Sequence, residues 1–169
     1  VSNVFNDRRL ASLTGHIAVG HTRYSTTGSS TWQNAQPVYR SASETQFALG
    51  HNGNLTNFEE LQSLADDRLD KHREVVAAHK QKRRRTRAHR DSSSDTSLIT
   101  ELLASSDADN LTDAALGLLP QIKGAFSLVF MDENTLYAAR DRHGVRPLAL
   151  GKIDRGWVVA SETAALDIV

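Results

Sequence analysis

Two extended segments of this chain each end in side chains that could bind a small polar ligand. The first, His16–Ser25, places Arg23 on the same face as its apolar residues, and the second, Thr45–His51, ends in Asn52-Gly53. A guanidinium can bind a carboxylate through two parallel hydrogen bonds. A carboxamide N–H beside a glycine N–H provides two fixed donors for a developing oxyanion. Together these groups suit an anionic ligand that carries an amide.

Each of these groups also has an ordinary structural interpretation. Arg23 could be a surface arginine on an edge strand. The pair Asn52-Gly53 could simply turn the chain, since Asn-Gly is a common tight turn. Asp95 follows Ser92–Ser94 and precedes an apolar stripe, which is typical of a helix N-cap. A carboxylate at a helix start could also bind a ligand ammonium, and the two roles are compatible.

Metal and phosphate sites have little support in the sequence. His21, His51 and His143 lack the spacing of metal ligands on a helix, and the chain contains no cysteine. It also has neither a phosphate-binding glycine loop nor a Gly-x-Ser-x-Gly nucleophile elbow. We therefore expect no metal and no cofactor in this domain.

A basic run interrupts an otherwise acidic chain. Lys71–Arg90 holds nine of the twenty Lys and Arg residues and a single acid, Glu74, which leaves the remainder with a formal charge of −8. The run lacks interleaved aromatic residues, so a solvated loop is favoured over a nucleic-acid site. We interpret residues 71–91 as a basic surface insertion and expect no nucleic-acid partner.

Length and composition indicate one globular domain. The chain has 169 residues with 39% hydrophobic content, enough for a sizeable core. No apolar run approaches the ~20 residues of a membrane helix. Val1–Asp7 has neither the basic nor the apolar region of a secretion signal. We expect a cytoplasmic protein without membrane association.

Hydrophobic periodicity predicts strands, then helices, then strands, which favours an α+β domain with antiparallel sheets. Capping-box patterns begin the first helix, which could run on to Ala77. The predicted helices are Leu55–Leu69, a helix following Asp95 with Leu98, Ile99, Leu102 and Leu103 on one face, Thr112–Leu119, and one from Glu162 onward. The predicted strands are His16–Ser25, Thr45–His51, Ala125–Met131, Thr135–Arg140, Leu148–Ile153 and Trp157–Ser161.

The motifs taken together resemble the glutaminase domain of the amidophosphoribosyltransferase family, a branch of the class II glutamine amidotransferases. The resemblance covers nearly the whole chain except Lys71–Asp91. The motifs that carry it are Gly20–Gly28 (GHTRYSTTG), Trp32–Pro37 (WQNAQP), Gly50–Leu55 (GHNGNL), Ser94–Thr96 (SDT), Gly124–Leu128 (GAFSL), Arg140–Leu148 (RDRHGVRPL) and Ala160–Thr163 (ASET).

This resemblance implies an N-terminal-nucleophile hydrolase fold, a four-layer αββα sandwich. In that family a cysteine at the start of the mature chain uses its own α-amine as base. Its thiolate attacks the glutamine side-chain amide and gives a thioester and ammonia. The ammonia displaces pyrophosphate from phosphoribosyl pyrophosphate in a C-terminal phosphoribosyltransferase domain, where magnesium is expected. The full enzyme is expected to be a homo-oligomer.

The resemblance also assigns roles to residues of this chain. Arg23 would hold the glutamine α-carboxylate, with Thr26 in the adjoining wall. Asn52 and the Gly53 N–H would form the oxyanion hole, and Asp95 would pair with the glutamine ammonium. Each role agrees with the chemistry of its residue.

The resemblance further implies two parts that the 169 residues do not include. One is a segment before Val1 that carries the cysteine and the first core strands, and the other is the phosphoribosyltransferase domain after Val169. We therefore interpret residues 1–169 as a partial domain, incomplete at both ends. The alternatives are a sister amidotransferase that makes glucosamine 6-phosphate or asparagine, and a non-catalytic fragment that binds nucleic acid through its basic run.

We predict that the 169-residue chain alone does not hydrolyse glutamine, because it contains no cysteine. The measurement is glutamate release by the pure chain. Turnover above the buffer blank would contradict the prediction.

Overall fold

The computed structural model describes residues 6–22, 35–42, 45–79 and 94–169, and for residues 72–79 it describes only the backbone. Arg23 and Thr26 lie outside these ranges, as do residues 80–93 of the basic run and its flank. The predicted roles of Arg23 and Thr26 and the predicted insertion at 71–91 therefore stay predictions.

The described residues form an α+β domain with two antiparallel sheets, as predicted from the sequence. The first sheet has the strand order β1-β2-β3-β4, and β5 pairs with β6 in the second. The strands are β1 (Val38–Ala42), β2 (Thr45–Leu55), β3 (Gly124–Met131), β4 (Leu136–Arg140), β5 (Ala149–Ile153) and β6 (Gly156–Ala160). The helices are α1 (Asp7–Ala11), α2 (Phe58–His79), α3 (Asp95–Ala104) and α4 (Leu111–Leu118), with 3-10 turns at Leu119–Gln121 and Thr163–Ile168.

The hydrophobic core lies between the four-stranded sheet and its helices. Alternate residues of β2 and β3, including the cross-strand pair Leu49 and Phe130, point to this side and are buried. Helix α3 packs across β1 and β2 and against α2 and α4. Its predicted apolar stripe is confirmed, since all four residues are buried (Leu98, Ile99, Leu102 and Leu103). Burial of each of these four side chains contributes roughly 1.5–3 kcal/mol to the stability of the fold.

Three elements differ from the sequence-based prediction, one of which is the helix predicted from Glu162 onward, since Thr163–Ile168 forms a 3-10 turn. Strand β1 was not predicted, because Val38–Ala42 is short and half polar and becomes a strand by pairing with β2. The described part of the predicted strand His16–Ser25, residues 16–22, has no ladder partner. Its alternation is nevertheless visible in burial, since Ile17 and Val19 are half-buried and the residues between and beside them are exposed.

The pair Asn52-Gly53 does not turn the chain, so the predicted turn is wrong. Strand β2 continues to Leu55, with Gly53 opposite Phe126 of β3. The glycine is required by a close approach: its φ is +143°, and a Cβ there would lie 2.0 Å from the carbonyl oxygen of Ala125. Gly124, nearby on β3, has the same constraint toward the carbonyl of Asn54. The two backbones therefore meet too closely for any side chain at either position.

We predict that Gly53→Ala lowers the free energy of unfolding by at least about 2 kcal/mol, because a backbone conformation outside the normal range of L-residues costs of order 1–3 kcal/mol before the clash is counted. Urea unfolding of the chain measures the effect.

Gly117→Ala is the matched control, since a Cβ at Gly117 of α4 meets nothing within 4 Å. It should be neutral or stabilising by up to about 1 kcal/mol. Equal stability of the two variants would contradict the close-approach argument.

Candidate active site

A cavity of about 670 Å³ separates the four-stranded sheet from the two-stranded sheet. This is the size range of small-molecule sites. Asn52 and Gly53 lie in its wall, so the structure brings these two predicted residues into one site. The remaining lining residues are Gly20–Thr22, Gln36, Gly50, His51, Ser127–Val129, Arg146, Leu148 and Val159–Glu162.

The chain segment that leads to Arg23 reaches this cavity. Gly20, His21 and Thr22 line it. The side chain of Val19 lies 3.8 Å from the position that a Cβ on Gly50 would occupy, so the segment packs directly over β2. Arg23 itself is outside the described residues, and its predicted contact with a carboxylate stays a prediction.

The carboxamide of Asn52 is oriented by an arginine from a distant loop. Nη2 of Arg146 donates a hydrogen bond to Oδ1 of Asn52. A guanidinium has donors and no acceptor, so the carboxamide must present its oxygen to it. The amide Nδ2 is then the group that remains to donate to a ligand in the cavity.

The alternation of β2 directs the Gly53 N–H away from β3. Phe126, opposite Gly53, directs its backbone groups to Asp141 on its other side: its carbonyl accepts the Asp141 N–H, and its own N–H donates to Oδ2 of Asp141. The Gly53–Phe126 pair is therefore of the non-hydrogen-bonded kind, and the backbone groups of Gly53 point to the β1 side of β2. Strand β1 begins at Val38, opposite Leu49, and does not extend that far.

Side-chain oxygens accept hydrogen bonds from the neighbouring backbone N–H groups along this edge. Oε1 of Gln36 accepts the N–H of His51 at 2.6 Å, where a longer β1 would have paired. Oδ2 of Asp95 accepts the N–H of Leu55 at 2.8 Å. The N–H of Gly53 lies between these two. Gln36 was not predicted as a site residue, and only its place in the WQNAQP motif pointed to it.

Asp95 is the first residue of α3 and not its N-cap, so that interpretation is wrong. The cap is Ser94, whose hydroxyl accepts the N–H of Ser97 at 3.3 Å. Asp95 instead reaches across to β2, two residues beyond Gly53. It does not line the cavity, and its predicted contact with a ligand ammonium stays a prediction.

His51 is buried on the helix side of β2, with 6% of its surface exposed. Its Nδ1 lies 3.5 Å from Oγ1 of Thr96, and its Nε2 has no hydrogen-bond partner among the described residues. Burial holds the pKa of His51 below its ordinary value; Asp95 opposes this shift and Arg146 adds to it. The neutral form of the ring is therefore favoured.

Asp141 organises the loop that carries Arg146. Its buried carboxylate accepts N–H groups from four residues (Phe126, His143, Val145 and Arg146) at 3.0–3.3 Å. Burial acts to raise the pKa of Asp141, but these four donors outweigh it and the pKa lies below its usual value. The RDRHGVRPL motif was noted in the sequence, yet nothing local in it assigned this role.

The described residues provide neither a metal site nor a membrane-spanning helix. No group of three or more His, Cys, Asp or Glu side chains there could hold a metal ion. No helix in those same ranges is long and apolar enough to cross a membrane.

Two family matches together cover most of the chain. Residues 69–167 match the glutamine amidotransferase domain family, and residues 3–70 match the class-II glutamine amidotransferases. The chain belongs to the glutamine amidotransferase family. This confirms the class that the motifs indicated.

Relatives of this amidotransferase domain carry the name that the resemblance suggested. The chain is 54% identical to the amidophosphoribosyltransferase of Mycobacterium tuberculosis and 53% identical to that of Mycobacterium leprae, over 100% of its own length. It is 37% identical to the chloroplastic amidophosphoribosyltransferase 3 of Arabidopsis thaliana. The chain spans 30%, 28% and 29% of these relatives.

A solved structure shares the fold of this amidotransferase domain. Glutamine phosphoribosylpyrophosphate amidotransferase from B. subtilis, complexed with ADP and GMP, superposes with a TM-score of 0.66 at 32% identity. The match covers 88% of this chain and 28% of that one.

We predict that His51 makes the stability of the domain depend on pH. Because the folded pKa lies below the free value of about 6.5, stability should fall as the pH is lowered from about 6.5 and the fall should end below the folded pKa. The slope cannot exceed about 1.4 kcal/mol per pH unit, the limit for one proton.

The measurement is urea unfolding between about pH 5 and about pH 8. In His51→Gln this part of the pH dependence should disappear, whereas His143→Gln, which alters an exposed ring, should retain it. Identical pH profiles for wild type and His51→Gln would show the interpretation to be wrong.

Proposed function

We propose that this chain is the glutaminase part of an amidophosphoribosyltransferase, which releases ammonia from glutamine for the synthesis of 5-phosphoribosylamine. The observation that carries the proposal is the geometry of β2 at the cavity. Asn52 lies in the cavity wall with its Oδ1 held by Arg146, so Nδ2 is its remaining donor, and the N–H of the adjacent Gly53 points to the edge that β1 leaves uncovered. Two such donors can stabilise the oxyanion of the tetrahedral intermediate in amide hydrolysis.

The reaction needs a nucleophile that the 169 residues do not contain, since the chain has no cysteine. A cysteine thiolate from the preceding part of the protein attacks the carbonyl carbon of the glutamine side chain. The carbonyl oxygen becomes an oxyanion and accepts hydrogen bonds from Asn52 and Gly53. Ammonia leaves with a proton from the cysteine α-amine, and water then releases glutamate from the thioester.

The remaining residues recognise the amino-acid end of glutamine. Arg23 binds the α-carboxylate, and Thr26 forms part of the same wall. Asp95 binds the α-ammonium from the far side of Gly53. Its hydrogen bond to the Leu55 N–H supports this assignment, because it holds the carboxylate at a position two residues beyond Gly53.

The proposal extends to the whole protein. Ammonia passes to a phosphoribosyltransferase domain and displaces pyrophosphate from phosphoribosyl pyrophosphate, with magnesium bound there. The glutaminase domain completes a four-layer αββα sandwich when the preceding strands are present. The enzyme is cytoplasmic and a homo-oligomer. Similarity to amidophosphoribosyltransferases over the full chain supports this choice over a sister amidotransferase.

We predict that Asn52→Ala in the full-length enzyme lowers kcat for glutamine hydrolysis by about 10²–10³, the usual effect of removing one oxyanion donor. The KM for glutamine should change little, because the lost bond forms only in the transition state. Steady-state glutaminase assays measure both constants.

Asn54→Ala is the matched control. Asn54 lies two residues further along β2 and is exposed, and among the described residues its side chain bonds only to the carbonyl of its neighbour Leu55. Its kcat should stay within about twofold of wild type. An unchanged kcat in Asn52→Ala would rule out the proposed oxyanion hole.

A further inference from the structure

Hydrogen bonds hold the loop after β4 to the sheet, and the backbone N–H of Arg146 takes part in them. The Arg146 N–H is one of the four that Asp141 accepts, and Asp141 itself bonds to Phe126 of β3 in both directions. Ser127, the next residue of β3, pairs directly with Asn52. The backbone of Arg146 is therefore held at a set distance from Asn52, although 94 positions separate them in sequence.

The guanidinium of Arg146 has an unusual partner for a half-buried cation. Among the described residues its hydrogen-bond acceptor is the neutral carboxamide of Asn52, and it forms no salt bridge with a described carboxylate. Its Nε is also buried and has no hydrogen-bond partner among the described residues. Burying a charge without a carboxylate is unfavourable. A purely structural arginine gains little from this arrangement.

The hydrogen bond from Arg146 gives the carboxamide of Asn52 a defined orientation. The two ends of an asparagine carboxamide have nearly the same shape, and a half-turn about χ2 exchanges them. In the orientation that the structure shows, Oδ1 accepts from Arg146 and Nδ2 is free to donate to an oxyanion. In the other orientation Oδ1 would be the free end and would repel an oxyanion, so a donor-only guanidinium bound to Oδ1 selects the first.

We propose that Arg146 is a positioning residue for glutamine hydrolysis: it fixes the flip of Asn52 so that Nδ2 meets the developing oxyanion. The inference rests on the proposed function, since it assigns Arg146 a role through Asn52. In this role Arg146 acts through the carboxamide of Asn52 and not on the reacting atoms. Its removal should therefore lower kcat and leave the KM for glutamine unchanged.

The test is a double-mutant cycle in the full-length enzyme, with Arg146→Met, Asn52→Ala and the double variant assayed for glutaminase kcat and KM. We expect Arg146→Met to lose about 10- to 100-fold in kcat, the scale of a misplaced catalytic group. The double variant should be no more than about twofold slower than Asn52→Ala, because the orientation of an absent carboxamide cannot matter. Arg142→Met, on the same loop and exposed, should stay within about twofold of wild type.

Each outcome separates this inference from the proposed function. Loss of kcat in Asn52→Ala together with multiplicative losses in the double variant would overturn the positioning role and leave the oxyanion hole intact. An unchanged kcat in Asn52→Ala would instead contradict the proposed function. If Arg146→Met does not accumulate as folded protein, Arg146→Lys replaces it in the cycle, since an ammonium keeps the charge and can donate one bond without the rigid fork. A wild-type kcat in Arg146→Lys would then contradict the need for the guanidinium geometry.

Discussion

The antiparallel pairing of β2 with β3 is the constraint on which both the core and the candidate site depend. Its eight residue pairs run without interruption from Ala48 to Leu55. The pairing passes through Gly53 and Gly124, where the two backbones approach too closely for a side chain. Because β2 stays extended through this point, consecutive residues face opposite sides of the sheet: His51 lies against the helices and Asn52 faces the cavity.

Because β1 is shorter than β2, part of one edge of β2 has no partner strand. An unpaired backbone N–H that is shielded from water costs about 1–3 kcal/mol. Gln36 and Asp95 remove this cost for His51 and Leu55. Both side chains come from outside the sheet, so the ends of the uncovered edge are closed by residues that a ligand does not need to displace. The position between them, Gly53, is where a ligand oxygen would complete the pattern.

Electrostatics differ sharply on the two sides of β2. On the helix side, burial lowers the pKa of His51 although Asp95 acts to raise it. On the cavity side, the guanidinium of Arg146 contributes a positive charge next to Asn52. A positive potential in a partly enclosed cavity favours ligands that are anionic or that become anionic during reaction. The charged side chain of Arg146 therefore lies on the cavity side of β2, and the buried ring of His51 lies on the helix side.

Local sequence patterns were sufficient for those features that depend only on residues close together in sequence. Hydrophobic periodicity was sufficient for the α3 stripe and for the strands of the last third, and the identities of Asn52 and Gly53 were sufficient to suggest two hydrogen-bond donors. The same local reasoning produced the turn at Asn52-Gly53 and the N-cap at Asp95, which are both wrong. An Asn-Gly pair looks the same whether it turns or is held extended by a partner strand, and Ser94 and Asp95 are both good caps.

Only the tertiary structure decided which of these options hold. Strand β1 exists because β2 is beside it, and Asp95 bonds to β2 because α3 packs there. The orientation of Asn52 depends on Arg146, whose loop is fixed by Asp141 and not by any pattern near Asn52. Contacts between segments far apart in sequence are set by packing and by the requirement that buried polar groups find partners. Residue identity therefore determined the chemistry available to this chain, and the pairing of its strands determined where that chemistry acts.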